Sequence, residues 1–136
     1  GWIASAVDLV RFASALDDAD NSPLLSADSI EQMRASPAGA AGHNEDGAPR
    51  AAFYGCGWVV RPVGMHGKAN TWHNGWIAGS EALLVRRHDG FNFAVLFNTA
   101  RDTGASLSSQ IDPKLHAAID AVQDWPPRCQ FDRFLG

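Results

Sequence analysis

"SEALLVRRHDGFNFAVLFN" (residues 80–98) decides how the chain folds. Two runs rich in apolar, β-branched and aromatic residues, 80–87 and 91–98, flank His88-Asp89-Gly90. An Asp-Gly pair accepts the positive φ that a tight hairpin requires, so the two runs are read as antiparallel neighbours. In the second run Phe91, Phe93, Val95 and Phe97 alternate with Asn92, Ala94, Leu96 and Asn98. One face of that strand is firmly apolar and the other mixed, which fits a sheet backed by helices. Arg86-Arg87, at the end of the first run, reads as a solvated strand end.

Further strands precede the hairpin. Thr71 to Trp76 is a short one, and Phe53 to Arg61, with Tyr54, Trp58, Val59 and Val60, is an earlier one. Pro62 to Lys68, with two glycines, turns between them. Antiparallel strands thus fill 53–99. Residues 36–52, with Pro37, Gly39, Gly42, Gly47 and Pro49 in a polar setting, form a long loop. Residues 1–35 are helical. Ser5 is placed to cap a helix over 5–17, and Asp8 three residues on completes a capping box. Asp17, Asp18 and Asp20 form its solvated end, before Pro23. A second helix follows Ser26. Asp112-Pro113 opens a last helix over 112–125, since Asp caps well and Pro suits the first helical position. The expected architecture is α+β: one domain over 1–136, an antiparallel meander flanked by helices.

Bulk properties narrow the function. The chain has 136 residues, 46% of them apolar and 19% charged, so it is long enough for one core and too apolar for whole-chain disorder. A net charge of −4 argues against a nucleic-acid partner, which needs a basic face. No apolar run approaches the roughly 18 residues of a membrane helix. The five histidines show no metal-ligand spacing, and neither a metal nor a cofactor is expected. Cys56 and Cys129 read as small buried hydrophobes. The nucleophile elbow Gly-x-Ser-x-Gly is absent, as are Ser-x-x-Lys, Gly-x-Gly-x-x-Gly and a phosphate-binding lysine loop.

Four stretches carry a resemblance. "GWIASAVDLVRFASAL" (1–16), "YGCGWVV" (54–60), "HNGWIAGSEALLVRRHDGFNFAVLFNT" (73–99) and "AIDAVQDWP" (118–126) resemble, in order and spacing, the C-terminal part of the serine β-lactamase-related family. That family includes class C β-lactamases, penicillin-binding proteins, D-alanyl-D-alanine carboxypeptidases and kindred esterases. The resemblance implies a partial β-lactamase/transpeptidase-like fold and hydrolysis of an amide or ester through an acyl-enzyme. Substrates would be of β-lactam or peptidoglycan-peptide type, and the location periplasmic or secreted.

The family's third motif is Lys or His, then Thr or Ser, then Gly, and its counterpart would be His73-Asn74-Gly75. By resemblance His73 would order protons and draw in an anionic substrate. Gly75 would let substrate lie against the backbone, and the Trp76 N–H would donate to an oxyanion. Asn74 stands where the family has a hydroxyl, and His73 is only partly charged near neutral pH. Both departures lean toward an esterase, amidase or peptidase rather than an efficient β-lactamase.

The family's Ser-x-x-Lys and Tyr-x-Asn motifs are missing. Tyr54, the one tyrosine, is followed by Gly55-Cys56 and does not form the second motif. The chain is therefore expected to be a C-terminal piece of a longer protein, to need an upstream segment as partner, to be inert alone and to self-associate through uncovered apolar surface. The alternative is a non-catalytic ligand-binding or interaction module derived from that family. Trp72 and Trp76 are expected as packing anchors, Trp58 as core, and Trp125 as the fastener of the last helix.

Overall fold

A computed structural model describes residues 3–64 and 67–127. Helices α1 (Ala6–Ser14) and α2 (Ala27–Arg34) lead into strands β1 (Phe53–Tyr54), β2 (Val59–Pro62), β3 (Ala69–Ile77), β4 (Ser80–Arg86) and β5 (Asn92–Phe97), and helix α3 (Leu107–Ala121) follows. The strands form one sheet in the order β1-β2-β3-β4-β5, every neighbour antiparallel. The arrangement is α+β.

Alternation along β4 shows how the layers stack. Leu84 joins Ala13, Leu16 and Ile30 in the main core, so that face of the sheet carries α1 and α2. Its neighbour Leu83 lies instead with Ser106 and Ser108, so the other face carries α3. With both faces covered, β4 is buried at Leu83, Leu84 and Val85, and its apolar run has no reason to alternate.

Local signals set two helix starts. The Ser5 Oγ accepts the Asp8 N–H at 3.2 Å, and the Asp8 carboxylate accepts the Ser5 N–H at 2.9 Å. This capping box satisfies donors that a first helical turn cannot pair internally. The Ser26 Oγ accepts the Ser29 N–H at 3.3 Å and starts α2. The 36–52 loop is broken only by a single 3₁₀ turn, Gly39–Ala41, and a bridge between His43 and Pro49.

Several expectations are corrected. The 53–61 run is two strands, because the chain turns at Gly55-Cys56-Gly57. A Cβ on Gly55 would lie 2.4 Å from the Met33 carbonyl oxygen, and Gly57 has φ +79°, so both glycines are required. Cys56 in this turn is exposed rather than buried; Cys129 lies outside the described residues. The last helix begins at Leu107, not at Asp112. Ser106 caps it through the Ser109 N–H at 3.1 Å, while the buried Glu81 carboxylate takes the Ser108 N–H at 3.1 Å and the Arg101 N–H at 3.1 Å. A carboxylate at a helix N-terminus answers both its unpaired donors and its dipole. That start prevails, and Pro113 is carried inside the helix.

Arg86 and Arg87 are not solvated. They are 6% and 9% exposed, and each is ion-paired. Arg86 meets Asp17 at 2.6 Å, which pins the end of α1 and removes Asp17 from the solvated acidic run. Arg87 meets Asp89 and Asp120, each at 2.6 Å, and so ties the β4–β5 turn to α3. Trp58 is core, stacked on Phe12 with ring centroids 6.2 Å apart. Trp125 lies against Phe91 at 5.0 Å. Trp72 is half-buried under the Arg61 guanidinium, 5.0 Å away, whereas Trp76 is 55% exposed and, among the described residues, is not a packing anchor.

Candidate functional site

Besides the outer edges of β1 and β5, the sheet leaves an inner strand, β3, open along part of one side. The β2–β3 ladder ends at the pair Val59↔Trp72, while β3 continues to Ile77 against β4. From His73 onward β3 therefore has a strand on one side and, among the described residues, none on the other. The Gly55–Gly57 turn produces this. Instead of running on beside β3 it bends toward α2, where the Cys56 N–H donates to the Met33 carbonyl at 3.2 Å. His73, Asn74, Gly75, Trp76 and Ile77 are all exposed. Alternate backbone N–H and C=O groups of such an edge are available to an extended ligand.

The four residues singled out by the sequence are contiguous here but divide between two faces, as the two-residue period of a strand dictates. His73 pairs across the ladder with Leu84 and shares the α1/α2 face with Gly75. Asn74 pairs with Leu83, and with Trp76 it belongs to the α3 face. The amide of Asn74 lines a cleft of about 250 Å³ together with Trp72, Ser106, Ser109 and Asp112.

His73 has a partner from β1, the strand two places away. The Tyr54 hydroxyl lies 2.9 Å from His73 Nε2, and the two rings meet edge to face at 5.8 Å. A phenol held at one ring nitrogen orients the imidazole, and because a hydroxyl both donates and accepts, either tautomer of His73 makes the contact. Sequence reasoning set Tyr54 aside because it does not begin a Tyr-x-Asn motif. The available signal was that it is the single tyrosine, placed just before a glycine-forced turn.

Gly75 and Gly79 are glycines for different reasons. Gly79 closes the β3–β4 hairpin with φ +81°, a conformation other residues adopt at a cost. Gly75 is not in that region, and a Cβ added there would meet only the Ala82 Cβ, at an ordinary 3.6 Å. Folding therefore does not demand glycine at position 75.

No family model, curated protein or solved structure matches the chain.

Among the described residues no group of three or more His, Cys, Asp or Glu side chains is arranged to hold a metal ion. No helix among them is long and apolar enough to cross a membrane. What the edge offers chemically is a proton-carrying pair, Tyr54–His73, beside a run of accessible backbone donors and acceptors.

Proposed function

We propose that the chain forms one wall of the acyl-transfer site of a serine β-lactamase-related hydrolase acting on an amide or ester. In this reading a serine from an upstream segment attacks the substrate carbonyl, the amine or alcohol leaves, and water then hydrolyses the acyl-enzyme. The Trp76 N–H would hold the developing oxyanion; one such donor is typically worth about 3 kcal/mol of barrier. His73, its ring oriented by Tyr54, would stand beside the substrate on one face, with Asn74 contributing an amide from the other.

The observation that carries this reading is the open edge His73–Ile77 with a glycine at its centre that the fold does not need. A residue without Cβ there gives close access to the backbone, and an extended acyl group could pair along the strand. The chain itself contains no Ser-x-x-Lys, so it supplies binding and not the nucleophile.

Two measurements test the proposal. In the first, N-acetyl-D-alanyl-D-alanine is titrated into the ¹⁵N-labelled chain. Saturable shifts of the amides over 73–77, abolished by Gly75→Val, are expected; shifts confined to other regions would overturn the reading. In the second, the coding sequence ahead of Gly1 is read. Ser-x-x-Lys followed by Tyr-x-Asn in frame is expected, and a start codon immediately ahead of Gly1 would count decisively against it.

A further inference from the structure

The second feature lies away from β3's open edge, between α2 and the end of β2 and start of β3. A cavity of about 440 Å³ opens there, within the range of about 300–1,000 Å³ usual for small-molecule sites. Its apolar wall includes Ile30, Val60 and Ala69, all of them core residues. Arg34, from the last turn of α2, lines it together with the exposed Lys68.

The charge arrangement around Arg34 is incomplete. Its Nη2 donates to the Leu16 carbonyl at 2.7 Å, and that fixes the guanidinium in a partly buried position. The nearby carboxylate, Asp17, is already committed. One of its oxygens pairs with Arg86 at 2.6 Å and the other accepts the Asn92 amide at 2.6 Å. Among the described residues no carboxylate forms an ion pair with Arg34. Burial, and after it the repulsion of Arg86, lower the affinity of Arg34 for its proton; Asp17 opposes this. Two guanidinium groups thus share one carboxylate, and the one left over borders a cavity. A partly desolvated cation without a counter-charge is unfavourable and is relieved by an anion.

We propose that this cavity is a binding site for a small carboxylate with a short apolar body, such as a medium-chain fatty acid. Its carboxylate sits on Arg34, with Lys68 alongside, and its carbon chain lies on Ile30, Val60 and Ala69. A planar carboxylate matches the guanidinium fork with two parallel hydrogen bonds, and the apolar wall rewards a hydrocarbon tail that an inorganic anion lacks. Glu31, exposed on the same helix and also in the lining, opposes the anion and sets the sign of a test.

The experiment titrates hexanoate, 1-hexanol and inorganic phosphate separately into the ¹⁵N-labelled chain. Hexanoate should shift the amides of Arg34, Ala35, Gly67 and Ala69 saturably, while 1-hexanol and phosphate each bind at least about tenfold more weakly, as loss of one charge-assisted contact or of the buried chain requires. Arg34→Gln should abolish the shifts, but it also removes the contact to Leu16 and can perturb α2. Lys68→Gln and Glu31→Gln, both at exposed positions, keep the test sharp: the first should weaken hexanoate binding and the second strengthen it. Equal binding of hexanoate and 1-hexanol would overturn the proposal. So would phosphate binding as tightly as hexanoate, or indifference of hexanoate affinity to both the Lys68 and the Glu31 substitution.

Discussion

Asp17, just beyond the end of α1, grips Arg86 at the end of β4 with Oδ1 and Nε 2.6 Å apart. Its other oxygen accepts the Asn92 amide of β5, so one carboxylate joins a helix to two strands. Arg86 is 6% exposed, and removing its partner strands a buried charge. Asp17→Ala should therefore destabilise the chain by about 3 kcal/mol, in the range for breaking a buried pair from one side. Adding Arg86→Met should restore most of that loss, since the stranded charge goes with it. Urea denaturation of the two single variants and the double variant checks this. Additive losses would show that the pair is not coupled.

Glu81 gives the fold an acid-side sensitivity. The Arg101 N–H first, then those of Ser108 and Leu107, hold its carboxyl below the ordinary value of 4.5, against the opposing effect of burial. Its folded-state pKa is depressed, so its contribution is fully present above the unfolded value and is lost as pH falls through the folded one. Thermal midpoints measured downward from about pH 6 should drop more steeply for the parent chain than for Glu81→Gln, the two curves converging as pH falls through the folded-state value, which lies below 4.5. Asp89, lowered chiefly by its hydrogen bond to Arg87, titrates in the same direction in both chains and cancels in the comparison. Parallel curves would mean that Glu81 does not hold the start of α3 as a carboxylate.

Some of this was legible in the sequence and some was not, for identifiable reasons. The strands at 80–98, the cap at Ser5 and the helix after Ser26 depend on neighbours within a few residues, and they are where the pattern put them. The start of α3 depends on Glu81, a carboxylate 27 positions from the Ser108 N–H it accepts. Nothing near Asp112-Pro113 reveals that competitor. Arg86 and Arg87 look like surface charge until Asp17 and Asp120 arrive from distant elements. The contact of Tyr54 with His73 needs the order of three strands and the Gly55–Gly57 turn. The division of His73 and Asn74 between faces, by contrast, follows from the strand period alone once β3 is read as a strand.

Pro113 is a second consequence of that early helix start. Six residues past Leu107, it removes the N–H that would bond the Ser109 carbonyl, and its ring crowds that turn. Pro113→Ala should raise stability by about 1–3 kcal/mol, because alanine restores the donor and relieves the crowding. If α3 instead began at Asp112, the same substitution would cost stability, since proline suits a first helical position. A rise or fall in the thermal midpoint therefore decides between the two helix starts.

The two glycines of the β3–β4 hairpin separate folding from function in one comparison. Gly79 holds φ +81°, so Gly79→Ala should cost about 1–3 kcal/mol of stability through backbone strain. Gly75→Ala should change stability by less than about 1 kcal/mol, because its Cβ meets only Ala82 at 3.6 Å and alanine suits a strand at least as well as glycine. Chemical denaturation of both variants measures this. If Gly75→Ala proved as costly as Gly79→Ala, the glycine would be explained by the fold. The reason to look for a ligand along His73–Ile77 would then disappear. If it is neutral for folding yet weakens binding at that edge, the missing Cβ serves the ligand, and the open edge of β3 is the surface it serves.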